Sequence, residues 1–198
     1  MNNSPYPLQT VAAVLYDQQG GLADTMAGFA LSMRDRGLRV RGLISASLGM
    51  GDGGSRQVLM NIDTGKTFDT AAWCHPLSVF TASDDQNEQA SGIMGSIVPS
   101  GADLALFHQF TDAEARGRGV ASEIRSIVDS GIPFLTTVHR HQYAAWQAFT
   151  NRDFVLLPPS LHAMYSWIDT MRNEQMSSSL SCLEKPVPEV AQALQLST

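Results

Sequence analysis

The chain has 198 residues, 43% of them hydrophobic and 16% charged, with a formal net charge of -6. That length and apolar content suit one domain with a full core. An acidic chain without a basic stripe excludes a nucleic-acid binder, which needs clustered Lys and Arg to neutralise phosphates. No stretch reaches the roughly 20 apolar residues of a membrane span.

The low charged fraction leaves room for a homo-oligomer interface. Cys74 and Cys182 lie far apart and outside any CxxC pair, so reduced thiols and a cytoplasmic location are expected. Arg34, Arg36, Arg39 and Arg41 form the one dense basic cluster, read as a solvated helix end.

In chain order, residues 1–8 read as a flexible N-terminus. The run VAAVLY at 11–16 is a buried strand. Residues 22–36 carry Leu22, Met26, Phe29, Ala30 and Met33 at helical spacing, with Gly37 as the stop. Residues 39–45 form a second strand, and strand–helix–strand predicts a parallel crossover. Residues 49–55, GMGDGGS, are a glycine-rich loop. Residues 57–62 and 67–68 flank Asp63-Thr64-Gly65-Lys66 as a β-hairpin, an antiparallel addition to the sheet.

Residues 70–90 are ambiguous in pattern, with a helix starting at 84–88 and its body over 90–98. DLALF at 103–107 is a strand. Residues 113–130 form one helix with Val120, Ile124, Ile127 and Val128 inward. A strand over 132–138, a short helix over 142–149, a strand over 154–157 and a helix over 160–171 follow. The serines at 177–181 read as a break, giving one α/β domain over 9–175 and a tail over 176–198.

Ligands of open parallel sheets bind beyond the carboxyl ends of the strands. Four post-strand segments therefore converge on one rim: Asp17 to Gly21, the 49–55 loop, His108 to Asp112, and His139-Arg140-His141. The first is a glycine turn entering a helix, whose amides face an anion. A small anionic ligand would be held by Gln19, Gly20, Gly21, Asp24 and Thr25. Charge would come from Arg116, Arg118 and Arg140, since a guanidinium fork matches an oxyanion. As an enzyme, the chain would use Asp112 or Glu114 as base or metal ligand and His108 or His139 as acid. As a metal protein it would use His108, His139 and His141, with Cys74-His75 an isolated pair.

The segments VAAVLYD, QQGGLADT, DLALFHQFTDAEARGRGV, GIPFLTTV and AAWQAF resemble the DUF2478 family of bacterial proteins over residues 9–157. That family looks related to the thermophilic nucleoside-triphosphatase group of P-loop NTPases. The resemblance implies a three-layer α/β fold with a mainly parallel sheet, an added hairpin and helices on both faces. It also implies a nucleotide with Mg as cofactor and a link to molybdate or molybdenum metabolism.

The chain departs from the working motif GxxxxGK[ST]. Aligned on Thr25, it has Gln18 and Ala23 at the glycines and Asp24 at the lysine. The Walker B strand should end in an acid, whereas DLALF ends in His108-Gln109. The expectation is a non-catalytic or regulatory protein binding a nucleotide, phosphate or another oxyanion. The alternative is a divergent nucleoside-triphosphatase or phosphotransferase using Asp112, Glu114 and His108.

Overall fold

The computed structural model describes residues 9–17, 21–49, 54–69 and 84–183. Gln19, Gly20, Cys74, His75, the expected N-terminus at 1–8 and the stretch 70–83 lie outside them, as do residues 184–198.

Among the described residues seven strands form one sheet, in the order β4-β3-β2-β5-β6-β1-β7 when numbered along the chain. Parallel partners are β1 (Val11–Tyr16), β2 (Val40–Gly49), β5 (Leu104–Phe110), β6 (Phe134–His139) and β7 (Val155–Leu157). The expected hairpin joins β3 (Ser55–Asn61) to β4 (Thr67–Asp69), and β3 also runs antiparallel to β2.

Strand alternation sorts side chains into two cores. Ala12, Val14, Leu104, Leu106 and Leu135 face α1 (Leu22–Asp35) and α7 (Leu161–Leu183), packing on Phe29, Met33, Trp167 and Ile168. Val11, Ala13, Ala105, Phe107 and Phe134 face the other way. There they meet α2 (Asp84–Gly95), α3 (Ile97–Ser100), α5 (Ala121–Asp129) and α6 (Tyr143–Phe149) through Met94, Ile97, Ile124 and Trp146. The central strands are apolar on both faces because both faces are covered. The result is a three-layer α/β fold.

Three expectations change. The helix expected over 113–130 is two: α4 (Asp112–Ala115) and α5, separated by Gly117 and Gly119 at φ 72° and 58°. Helical periodicity continues across the gap because Val120 and Ile124 both reach the core, but left-handed backbone cannot continue a helix. The β5 strand runs past Phe107 to Phe110, with a register shift against β6 between those residues, so His108 and Gln109 are strand residues. The α7 helix passes through the serines at 177–181 to Leu183.

Of the arginine cluster, Arg34 and Arg36 are exposed at the end of α1, whereas Arg39 and Arg41 lie at the start of β2. Arg39 chelates Asp103 (2.8 Å), Arg41 pairs with Asp63 (2.7 Å) and Arg36 with Asp169 (3.7 Å), while Arg34 donates to the Ile62 carbonyl (2.6 Å). These acids are remote in sequence, so their compensation emerges only on folding. Among the described residues no helix is long and apolar enough to cross a membrane.

Candidate functional site

Parallel register brings the strand ends together: Tyr16 lies opposite His139, and Phe107 lies between Leu43 and Thr136. The rim so formed carries two neighbouring cavities, each lined in part by Tyr16 and Leu22.

The outer cavity, about 360 Å3, sits between the start of α1 and the end of β6. Its polar wall is Asp17, Thr25 and Arg140. Gly21 precedes α1 at φ 76°, a left-handed conformation that glycine adopts without steric cost. Thr25 turns its hydroxyl back onto the Gly21 carbonyl at 2.8 Å.

Arg140 Nε donates to Asp17 Oδ1 at 2.5 Å, clasping the β6 end to the β1 end. That guanidinium holds the Asp17 carboxyl below its ordinary range. His139 joins the clasp: its Nε2 lies 3.0 Å from the Asp17 carbonyl, and its Nδ1 accepts from the His141 amide at 3.3 Å.

The inner cavity, about 210 Å3, opens between α1 and the ends of β2 and β5. Ser45, Gln57, His108, Gln109 and Thr137 supply polar groups, and Leu22, Ala23 and Met26 supply an apolar wall. His108 is buried, and burial pushes its imidazole down to about 4, so the ring is neutral at neutral pH. Its Nδ1 lies 3.4 Å from the Ser45 hydroxyl, and Thr137 Oγ1 donates to its carbonyl at 2.6 Å. Asp24, on α1, lines neither cavity. It accepts from Ser47 Oγ at 3.4 Å, and Ser47 in turn accepts from Gln57 Nε2 at 2.7 Å.

The remaining candidates are placed elsewhere. Glu114 is 1% exposed and closes a capping box on α4: its Oε2 accepts from the Thr111 amide (3.0 Å) and hydroxyl (2.5 Å). Its Oε1 accepts from the Val120 amide at 3.4 Å. Burial pushes this carboxyl above its ordinary value despite those donors. A Cβ on Gly119 would stand 2.3 Å from Glu114 Oε1, so this glycine makes room for the buried acid.

Asp112 accepts from Gln142 Nε2 at 2.7 Å. Arg116 and Arg118 are exposed on the turn after α4 and line neither cavity. Among the described residues no group of three or more His, Cys, Asp or Glu is placed to hold a metal ion.

Sequence reasoning missed Tyr16, Ser45, Gln57 and Thr137. Thr137 carries a usable signal, since it is a hydroxyl within the buried stretch of β6.

The model of a family described as "Protein of unknown function (DUF2478)" matches residues 11–167. The chain belongs to this family. Its architecture is also that of solved nucleoside triphosphatases. A human cancer-related nucleoside triphosphatase superposes with a TM-score of 0.55 at 12% identity, over 88% of this chain and 97% of that one. THEP1 from the hyperthermophile Aquifex aeolicus gives 0.51 at 13% identity, over 88% and 99%. At such identities the likeness is one of fold, here the P-loop NTPase type.

A curated relative, the molybdenum import ATP-binding protein ModC 2 of Bradyrhizobium diazoefficiens, is 31% identical over 144 residues. That match covers 71% of this chain but only 16% of the relative.

Proposed function

We propose that this DUF2478 protein is a non-catalytic or regulatory binding protein for a small anion. A nucleotide, a phosphate or another oxyanion would occupy the outer cavity between the start of α1 and Arg140. The observation that carries this reading is the convergence of Arg140 and the first turn of α1 on one cavity at the carboxyl rim. A helix start and a guanidinium supply complementary charge without a P-loop lysine.

Hydrolysis of a magnesium–nucleotide is not part of the reading, because the residues do not fit that group. Asp24 occupies the lysine position and would repel phosphate. The Thr25 hydroxyl, expected on a magnesium ion, donates to the Gly21 carbonyl instead. The β5 end offers a neutral imidazole and an amide where an acid would be needed. Glu114 spends its lone pairs on its own cap, and Asp112 accepts from Gln142. The match to part of a molybdenum importer's ATP-binding protein makes molybdate a ligand to include in the test.

Thermal denaturation with and without phosphate or molybdate tests the proposal, because a ligand that binds only the native state raises Tm. The shift should vanish in Arg140→Ala. It should grow in Asp17→Asn, which frees the guanidinium and should tighten binding by up to about fivefold, the scale of an exposed ion pair. Absence of any shift for wild type and both variants overturns the reading.

A further inference from the structure

We infer that the inner cavity, beside His108, takes an uncharged ring with hydrogen-bonding substituents, so that the protein's ligand is an oxyanion monoester of a one-ring organic group. This rests on the anion reading of the outer cavity and extends it by naming what the anion is attached to.

The first argument is charge. Among the described residues, those lining the inner cavity include no lysine or arginine. The one histidine there is held neutral by burial, and Gln57 leads through Ser47 to a carboxylate, Asp24. A phosphate placed here would lose its hydration and gain no counter-ion from those lining residues, which disfavours it strongly.

The second argument is chemistry. Hydroxyls of Ser45 and Thr137, amides of Gln57 and Gln109 and the His108 imidazole offer neutral donors and acceptors along one side. Leu22, Ala23 and Met26 form an apolar wall along the other. A flat ring with polar edges satisfies both surfaces, as small-ligand sites generally do with a few polar groups in an apolar lining.

The third argument is size and placement. A dry cavity of about 150 Å3 admits a benzene ring. The inner cavity, at about 210 Å3 and partly open to solvent, has room for one substituted ring. Tyr16 and Leu22 line both cavities, so a molecule bridging them passes over that pair with its anionic end toward Arg140.

The test titrates inorganic phosphate, ribose 5-phosphate and 4-hydroxyphenyl phosphate into the full chain by calorimetry and reads affinity relative to phosphate. At least one monoester should bind roughly tenfold or more tighter than phosphate, since the ring adds a second buried contact. That ratio should fall toward one in Ala23→Leu, which fills the inner cavity from α1. It should fall equally in Ser45→Leu, which fills it from β2 and keeps the test alive if the helix variant fails to fold. Equal affinity for all three probes in wild type overturns the inference and leaves the anion reading standing. No binding of any probe overturns both. A ratio retained in both filled variants places the ring elsewhere and overturns the inference.

Discussion

Replacing Glu114 with alanine separates a structural acid from a functional one. Three donors aim at its carboxylate, the Thr111 amide and hydroxyl and the Val120 amide, and all three would be left facing a void. Hydrogen bonds to a charged acceptor contribute about 1.5–3 kcal/mol, and loss of a capping box about 1 kcal/mol. These terms describe overlapping contacts, so the expected loss is about 3 kcal/mol and not their sum. In urea, at a slope of about 2 kcal/mol per M, the midpoint should fall by about 1.5 M.

Glu114→Gln should lose only about 1 kcal/mol, because an oxygen at the Oε2 position keeps both Thr111 bonds while the amide nitrogen faces the Val120 amide. Burial raises this carboxyl, so the native state holds its proton more tightly than the unfolded chain. The resulting stabilisation is complete below the ordinary value of 4.5 and is lost as pH rises through the folded one. Relative to the glutamine variant, wild type should therefore gain stability on acidification. Chemical denaturation at several pH values measures both effects. An alanine variant as stable as wild type, but impaired in ligand binding, would refute the structural assignment.

His108 carries the opposite sign. Its folded value near 4 lies below the ordinary 6.5, so the unfolded chain binds more protons between them. Stability from this group should fall as pH drops through that window, by up to about 1.4 kcal/mol per pH unit. His108→Gln should remove that slope, and a slope unchanged in the variant would show that the ring is accessible to protons. Gly42→Ala should cost more than about 3 kcal/mol by denaturation, because its Cβ would stand 1.9 Å from the Leu106 carbonyl oxygen at φ 124°. Gly37→Ala, at φ 84° with open space around it, should cost only about 1 kcal/mol. Equal losses would mean that β2 and β5 do not approach as closely as the structure shows.

The sequence by itself determined the layered α/β architecture. Strands such as 11–16 are apolar without interruption, and helices such as α1 repeat apolar residues every three or four positions. Those patterns are local, because the faces of a strand or helix follow from backbone geometry alone. The meeting of the β1 and β6 ends was legible for the same reason, since parallel strands end on one side.

Only the tertiary structure decided what each rim residue does. Glu114 reads as a candidate base until Gly119 folds over it. His108 reads as a loop residue until the register shift in β5 buries it. Arg36, Arg39 and Arg41 read as one helix-end cluster until Asp169, Asp103 and Asp63 arrive from distant elements to pair with them. In each case the outcome depends on desolvation and on partners brought from elsewhere in the chain. Neither is encoded in the spacing of neighbouring residues.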